Sequence, residues 1–258
     1  MTRVTIIGAA GRMGRELCRA AIETEGIELA GGTVEPGAPE LGSDLGDLCG
    51  SGKIGVTATE DPPDQAGVLI EFTIPGATVA HLSYGRPHVI GTTGLSEDQL
   101  SEVEKAAEVI PIVLAPNMSI GVNLLRDVVR ELSAKLGENY DIELVETHHR
   151  DKKDAPSGTA LFLARAAAEG REKDLDEVAV YGREGFSPRQ DGEIGIHALR
   201  GGAVVGEHRL IFYSGGEEVE VIHRALSRRT FADGALRAAT FAESSRPGLY
   251  SMKDALGT

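Results

Sequence analysis

The start of the chain contains the feature that most restricts its fold: a β-branched run, then a glycine-rich turn, then a helical pattern. The run is Val4 to Ile7, the G-A-A-G-R-M-G turn begins at Gly8, and helical spacing continues to about Thr24. A short buried strand that leads directly into such a turn and helix is typical of the first β-α-β unit of a dinucleotide-binding fold. Alone the turn is a weak signal, because a tight strand-to-helix turn without a ligand has the same sequence.

The rest of the first half repeats the alternation of strand and helix. Ser96 and Gln99 have capping-box spacing and predict a helix that ends near residue 108. Strands separated by helical crossovers favour a parallel, doubly wound sheet, whereas the Pro/Gly-rich segment 36–55 is predicted to be a loop. The predicted strands after the first are residues 27–35, 68–72, 88–90 and 112–115.

The second half changes character after Asn117. Longer strands follow one another with short turns between them, which predicts a mixed or antiparallel sheet. The chain is therefore predicted to be an α/β protein with an N-terminal Rossmann-type, doubly wound parallel sheet and a C-terminal α+β domain with a mixed or antiparallel sheet. We predict helices at 120–136, after Ser157 and at 231–244, and strands at 140–147, 178–181, 194–199, 204–213 and 219–225.

Composition limits the function classes. Acidic residues outnumber basic ones by 40 to 26, and the formal charge of −14 argues against nucleic acid or an anionic membrane surface as the main partner. Cys18 and Cys49 lie far apart without metal-ligand spacing, which predicts reduced thiols, no metal site and a cytoplasmic protein. We expect neither a signal peptide nor a membrane-spanning segment.

The segment 143–160 combines groups for proton transfer and for anion binding. His148 and His149 can exchange protons near neutral pH, Lys152 and Lys153 are cationic, and the helix that starts after Ser157 offers free backbone N–H groups. Together they predict a small, multiply charged acid as substrate. Adjacent strand residues point to opposite faces, so at most one histidine points at a reaction centre. A histidine on a strand is more often structural, and we interpret His81, His88, His197, His208 and His223 as structural or surface residues.

Seven segments carry a family resemblance: G-A-A-G-R-M-G-R from Gly8, E-F-T-I-P from Glu71, V-I-G-T-T-G from Val89, A-P-N-M-S-I-G-V-N from Ala115, E-T-H-H-R-D-K-K-D-A-P-S-G-T-A from Glu146, V-G-E-H from Val205 and S-R-R-T-F-A-D-G-A from Ser227. Over essentially its whole length the chain resembles the 4-hydroxy-tetrahydrodipicolinate reductases, also called dihydrodipicolinate reductases, of lysine and diaminopimelate biosynthesis. The resemblance implies NAD(P)H-dependent reduction of a cyclic dicarboxylic imine.

The resemblance also implies roles for individual residues. His148 would be the catalytic proton donor and Lys152 would act with it. Substrate carboxylates would be held by His149, Ser157, Gly158 and Thr159. The cofactor would be bound by Gly8, Ala9, Ala10, Gly11, Arg12, Met13 and Glu35 at its diphosphate and ribose, and by Gly91, Thr92, Thr93, Ala115, Pro116, Asn117 and Met118 around the nicotinamide.

Cofactor preference and assembly complete the expectations. Glu35 lies 21 residues beyond Gly14, where a carboxylate accepts hydrogen bonds from the adenosine ribose. Pro36 stands where members that accept NADPH often carry a basic residue, so we predict a preference for NADH over NADPH. The resemblance implies a homotetramer, a dinucleotide-binding domain at 1–118, a substrate-binding and oligomerisation domain at 119–227, and a segment 228–258 that returns to the first domain.

Two alternatives remain open at this point. Another two-domain Rossmann oxidoreductase, such as an amino-acid or sugar dehydrogenase, explains the glycine turn and Glu35 but leaves the segment 143–160 unexplained. A non-catalytic NAD(H)-sensing module predicts cofactor affinity without turnover and gives the His and Lys cluster no role.

Overall fold

The structure, a computed structural model that describes residues 1–257, divides into two units. The first unit comprises residues 1–120 and the C-terminal segment from Arg228, and the second comprises residues 121–227. The first boundary therefore falls after Ile120, whereas the sequence placed it after Met118. Each unit has its own apolar core.

The first unit is built around a seven-stranded parallel sheet with the order β12-β6-β5-β4-β1-β2-β3. Its strands are β1 Thr2–Ile7, β2 Ile27–Thr33, β3 Ala58–Thr59, β4 Val68–Glu71, β5 His88–Ile90, β6 Pro111–Leu114 and β12 Gly248–Tyr250. Its helices are α1 Arg12–Glu23, α2 Leu45–Cys49, α3 Pro75–His81, α4 Glu97–Ala107, α8 Arg229–Ser244 and α9 Met252–Leu256, with a 3-10 turn at Leu82–Tyr84.

Parallel pairing gives this sheet a single carboxyl edge. The loops that follow β1, β2, β4, β5 and β6 all leave the sheet there, and the strand order reverses on either side of β1. Ligands of doubly wound sheets bind at this edge, next to the point of reversal. The predicted cofactor residues that follow these strands are thereby brought to one edge.

Helix α8 closes the first unit. It packs against β1, β4, β5 and β6 through a face of small residues, which include Ala232, Ala235 and Ala239. Gly234 on this helix lies so close to the Met118 carbonyl that an added Cβ would be 1.7 Å from the oxygen. The C-terminal segment therefore belongs to the parallel-sheet unit and helps to fix the position of the loop after β6.

The second unit has a mixed five-stranded sheet with the order β11-β10-β7-β9-β8. Strands β7, β9 and β8 are parallel, and β10 is antiparallel to both β7 and β11. Its elements are α5 Ile120–Leu136, a 3-10 turn at Gly137–Asn139, β7 Asp141–His148, α6 Gly158–Gly170, α7 Leu175–Val178, β8 Ala179–Tyr181, β9 Ile194–Arg200, β10 Gly206–Tyr213 and β11 Glu218–Ala225.

The predicted fold class is confirmed, and the differences concern short elements. The segment 36–55 contains helix α2, whose N-cap Asp44 accepts backbone N–H bonds from Gly46 and Asp47. The prediction of an uninterrupted loop was wrong there, because five residues of helix give too little periodicity to show in a sequence. The predicted strand 204–213 begins only at Gly206, and residue 178 belongs to α7 rather than to a strand.

Candidate active site

The glycine-rich turn connects β1 to α1 in the first unit, and each glycine meets a different steric demand. Gly8 has φ +73°, a left-handed conformation that favours glycine. Gly11 is the N-cap of α1. Gly14 packs on the turn so closely that a Cβ would lie 2.1 Å from the Gly8 carbonyl oxygen. Gly14 thus lets the helix start approach the strand, as a dinucleotide site requires.

The first turn of α1 is suited to an anion. It contains no acidic residue, and its N-cap residue, Gly11, has no side chain that could accept the first N–H groups of the helix. The N–H groups at a helix start and the helix dipole attract phosphate. Arg12 is exposed at this point, whereas Ala9 is buried and Met13 packs against the core. Of the predicted cofactor residues in the turn, Ala9 and Met13 therefore offer backbone rather than side chain to a ligand.

Arg15 joins the turn to α2. Its Nε donates to the Ala10 carbonyl at 2.8 Å, and its Nη1 donates to the Leu48 carbonyl at 2.6 Å. Arg19, one turn later, donates from Nε to the Cys49 carbonyl at 3.1 Å and from Nη1 to Glu16 at 3.2 Å, and within residues 1–257 its hydrogen bonds do not include the glycine turn. Helix α2, which the sequence did not reveal, is thereby fastened beside the turn.

Glu35 follows β2 at the carboxyl edge and its side chain is exposed. The next residue, Pro36, is also exposed and carries no charge. An exposed carboxylate at this place can accept hydrogen bonds from ribose hydroxyls and repels a phosphate.

The loops after β5 and β6 differ in which atoms they expose. Gly91 packs on the Phe72 ring, where a Cβ would be 2.3 Å from a ring carbon. The Thr92 hydroxyl is buried and accepts from the Thr73 N–H at 3.0 Å and from the Thr78 hydroxyl at 2.9 Å, while Thr93 is exposed. The Met118 side chain is fully buried in the core. At Thr92 and Met118 the side chain serves the packing of the loop, which leaves backbone atoms for a cofactor.

A buried carboxylate lies behind the Thr92 turn. Glu71, at the end of β4, accepts the Thr73 hydroxyl at 2.6 Å, and its oxygens lie 3.0 Å from His81 Nδ1 and 2.9 Å from His88 Nε2. Burial by itself would raise the pKa of Glu71, but the hydrogen bond with His81 and the close His88 ring hold this pKa well below its usual range. Glu71 is therefore ionised, and it connects β4, α3 and β5.

In the second unit, strand alternation places Glu146 and His148 on the same face of β7 as the core residues Ile142 and Leu144. Glu146 is fully buried and its charge is compensated. Arg200, on the neighbouring strand β9, donates to both carboxylate oxygens at 2.9 and 2.8 Å, and the Ser157 N–H donates to Oε1 at 3.0 Å.

His148 contacts Glu146 through Nδ1, which lies 2.5 Å from Oε2. Glu146 has a lowered pKa: burial opposes the shift, but the hydrogen bonds from Arg200 outweigh it, so the carboxylate is ionised and Nδ1 is the donor. Burial lowers the pKa of His148 in spite of Glu146, and the charges of Lys152 and Arg200 lower it further. In this state the imidazole is neutral, and Nε2 carries the lone pair that can take up a proton.

Gly206 provides the space for that ring. A Cβ at Gly206 would lie 3.0 Å from His148 Nε2, closer than a side chain normally approaches. Gly206 starts β10, next to the strand that carries His148.

The start of α6 lies beside this cluster. Ser157 is the N-cap, and its hydroxyl oxygen accepts the Ala160 N–H at 3.1 Å. The same hydroxyl lies 3.1 Å from His208 Nε2 of β10, and the His208 ring meets the His148 ring edge-on at 5.2 Å between centroids. Gly158 is exposed and Thr159 is half-buried at the first turn of the helix, where an anion would bind.

His149 and Lys152 lie in the loop between β7 and α6. His149 is half-buried, and Lys152 donates from Nζ to the exposed Asp154 carboxylate at 2.9 Å. An ion pair with an exposed partner is weak, so an anionic ligand can compete for this ammonium group.

Sequence reasoning missed four residues of the cluster. Glu146 had a usable signal, because it lies two positions before His148 and so shares its face of the strand. Gly206 and His208 lie in the V-G-E-H segment, but that segment did not show where they would lie. Arg200 had no signal. All three reach the cluster through the register of β7 with β9 and β10. His208, which we interpreted as structural or surface, is buried against Ser157.

Two negative findings apply to the described residues 1–257. None of the helices there has the length and apolar character needed to cross a bilayer. Nor do His, Cys, Asp and Glu side chains form a group of three or more that could hold a metal ion in that part of the chain.

Solved structures show the same fold. A dipicolinate-bound dihydrodipicolinate reductase from Paenisporosarcina sp. TG-14 is similar with a TM-score of 0.73 at 23% identity, covering 97% of each chain. An amine dehydrogenase from Mycobacterium smegmatis reaches a TM-score of 0.58 at 12% identity, over 97% of this chain and 95% of the other.

Sequence comparisons decide the family. The model for the dihydrodipicolinate reductase N-terminus matches residues 2–118, and the model for the C-terminus matches residues 121–256. The 4-hydroxy-tetrahydrodipicolinate reductase of Rubrobacter xylanophilus is 71% identical over 100% of this chain and 99% of its own length. That of Chromohalobacter salexigens is 48% identical over the same shares. The chain therefore belongs to the dihydrodipicolinate reductase family.

Proposed function

We propose that the chain catalyses the NAD(P)H-dependent reduction of 4-hydroxy-tetrahydrodipicolinate to tetrahydrodipicolinate in lysine and diaminopimelate biosynthesis. One observation carries the proposal: a buried, charge-compensated Glu146–His148 pair lies beside the start of α6, where Ser157 is the N-cap and Gly158 is exposed. This combination suits a reaction in which a proton is donated to a substrate that carries two carboxylates.

The first unit fits a dinucleotide. A diphosphate requires a close approach to the backbone and no negative charge nearby. Gly14 packs closely on the turn, and the first turn of α1 has no acidic residue. The exposed Glu35 carboxylate can accept hydrogen bonds from a ribose. We assign the diphosphate to the turn Gly8 to Met13, the ribose to Glu35, and the nicotinamide end to Gly91–Thr93 and to residues 115–118. Bound NAD(P)H supplies the hydride.

We assign proton donation to His148. Its Nδ1–H is held by Glu146, so the ring is fixed and Nε2 is the atom that takes up and gives the proton. The ligand-free site favours the neutral imidazole. A substrate with two carboxylates adds negative charge beside the ring and favours its protonated form, so substrate binding prepares the acid.

We assign the substrate carboxylates to His149, Ser157, Gly158 and Thr159, with Lys152 as a cationic partner. The start of α6 supplies N–H donors to one carboxylate. Lys152 reaches the second by exchanging the exposed Asp154 carboxylate for that of the ligand.

Oxidation of NADH tests the assignment, with the condensation product of pyruvate and aspartate semialdehyde as substrate. We expect His148→Gln to lower kcat by about a hundredfold or more, as is usual for loss of a general acid, with little change in the KM for NADH. Lys152→Gln should mainly raise the KM for the dicarboxylate. Unchanged turnover in His148→Gln would refute the role of His148, and cofactor binding without any turnover would indicate a sensing module.

We further propose that NADH is preferred over NADPH. Glu35 repels a 2′-phosphate, and Pro36 offers no cation to compensate for it. We expect a higher kcat/KM with NADH, and Pro36→Arg should raise kcat/KM for NADPH by about tenfold, the effect of one charge-assisted hydrogen bond. Pro39→Arg, which adds the same charge elsewhere in this exposed loop, is the control. Equal use of both cofactors by the unsubstituted protein would contradict the preference.

We also propose a cytoplasmic homotetramer assembled through the sheet of the second unit. One face of this sheet packs on helices, and the opposite face exposes Leu199 and Tyr213 among charged residues. Light scattering after size-exclusion chromatography should give about four times the mass of 27.2 kDa for one chain. A monomer at micromolar concentration would contradict the assembly.

A further inference from the structure

Ser157 and His208 share one hydrogen bond, and its direction decides what Ser157 can offer to a ligand. The two side chains are buried, and 3.1 Å separates the Ser157 hydroxyl oxygen from His208 Nε2. The hydroxyl oxygen already accepts the Ala160 N–H. A hydroxyl has one proton to donate and two lone pairs to accept with. Its proton is therefore either used on His208 or available to another acceptor.

The surroundings of His208 choose between these two states. Burial lowers the pKa of His208 to about 3, and the nearby His148 lowers it as well, so the ring is neutral and carries a single N–H. Among residues 1–257, Nδ1 of His208 is buried without a hydrogen-bond partner. A proton on Nδ1 would leave a buried donor unsatisfied, which is the rarer and costlier defect in proteins. A proton on Nε2 instead makes a bond to Ser157.

We infer that His208 is a positioning residue that donates from Nε2 to Ser157 and so directs the Ser157 hydroxyl proton at a carboxylate of the substrate. With its two lone pairs occupied by Ala160 and His208, the hydroxyl can act only as a donor. It then joins the N–H of the exposed Gly158 at the start of α6 in binding an anion. This inference rests on the proposed function, which places a substrate carboxylate at Ser157.

The arrangement also favours a carboxylate over a group that has no hydrogen-bond acceptor. A site whose buried hydroxyl can only donate gains a hydrogen bond from a carboxylate and gains none from a group that lacks an acceptor. His208 would thereby contribute to selection of the dicarboxylate without touching it.

A matched pair of substitutions tests the inference. Gln has its amide nitrogen at nearly the position of His Nε2, so His208→Gln keeps a donor toward Ser157. His208→Met has the same length and tolerates burial but has no donor. We expect His208→Met to raise the KM for the dicarboxylate and the Kd for dipicolinate by about tenfold, as for loss of a hydrogen bond to a charged group. The KM for NADH should stay within about twofold, and His208→Gln should restore most of the affinity for the dicarboxylate.

A double-mutant cycle with Ser157→Ala separates this role from general packing. If His208 acts through Ser157, then Ser157→Ala combined with His208→Met should be no worse than Ser157→Ala alone. The inference would be overturned if the increases in KM caused by Ser157→Ala and His208→Met multiplied in the double variant. Equal increases in KM in His208→Met and His208→Gln would overturn it as well. So would an unchanged KM in His208→Met while Ser157→Ala is impaired, and the proposed function would survive that result. An unchanged KM in Ser157→Ala would overturn the inference and the assignment of a carboxylate to Ser157, whereas the reductase activity itself would stand.

Nitrogen NMR of the unsubstituted, histidine-labelled protein decides the tautomer directly. We expect the proton of His208 on Nε2, with Nδ1 resonating as an unprotonated ring nitrogen. A proton on Nδ1 would overturn the inference whatever the stability of the variants.

Discussion

At the scale of single residues, the cluster around His148 combines a charge that is fixed with one that can change. Glu146 is ionised because Arg200 and the Ser157 N–H satisfy its oxygens, whereas His148 is held neutral mainly by burial. A buried pair of this kind is stable only while every partner remains, since removal of one leaves an uncompensated charge. The ring is thus rigid, and only its proton at Nε2 varies.

This state of His148 predicts a shifted pH dependence. In the free protein the pKa of His148 is lowered, so its protonated form is lost as the pH rises through a value below 6.5. We expect kcat/KM, which reports the free protein, to fall above that pH, and kcat to fall only at higher pH, because the bound dicarboxylate stabilises the imidazolium. Profiles of kcat and of kcat/KM from about pH 5 to about pH 9 provide the measurement. Identical midpoints in these two profiles would contradict the prediction that bound substrate stabilises the imidazolium.

Gly206 gives a second prediction at this scale. Gly206→Ala places a methyl group 3.0 Å from His148 Nε2, so the ring must move. We expect kcat to fall by about tenfold to a hundredfold, the usual effect of displacing a catalytic group by a fraction of an ångström to one ångström. Gly216→Ala is the control, because a Cβ there meets nothing within 4 Å. Equal rates in the two variants would show that the ring position is not critical.

At the scale of elements, helices α1 and α2 are held together by arginine side chains that bond backbone carbonyls. Of Arg15 and Arg19, it is Arg15 that also bonds the glycine turn, through the Ala10 carbonyl. We expect Arg15→Gln to raise the KM for NADH about fivefold, the effect of losing a hydrogen bond worth ~1 kcal/mol, with kcat unchanged. Arg19→Gln, which loses only bonds to the Cys49 carbonyl and to Glu16, should change the KM less. Titrations of both variants with NADH measure these KM values. An equal increase in the two variants would indicate that α2 is generally loosened and that the bond to the glycine turn has no particular effect.

At the scale of the whole molecule, neutral buried histidines make the fold sensitive to acid. The folded pKa of His208 is about 3 and the unfolded value is 6.5, so between these values the unfolded chain binds the additional proton. The contribution of neutral His208 to the free energy of unfolding is therefore fully present above about pH 6.5. It decreases as the pH falls, by at most ~1.4 kcal/mol per pH unit for this proton. The lowered pKa of Glu71 adds a further loss below its ordinary range.

Urea unfolding at about pH 7 and about pH 5 measures this loss. The His208→Met variant lacks the titrating ring, so its midpoint should decrease less between the two pH values than that of the unsubstituted protein. The same decrease in both would mean that His208 does not contribute to acid sensitivity.

The sequence by itself determined the local features of this protein. Strand–turn–helix order, the capping box at Ser96 and the run from Glu146 to Thr159 are written in short-range spacing, which is why the fold class and the family could be predicted from them. Helix α2 was not predicted, because it is too short to show a helical period in the sequence. Tertiary structure alone decided which residues meet: Arg200 and His208 reach His148 through strand register, and the two histidines beside Glu71 come from a helix and another strand. Such pairings depend on contacts between distant parts of the chain, and no local pattern encodes them.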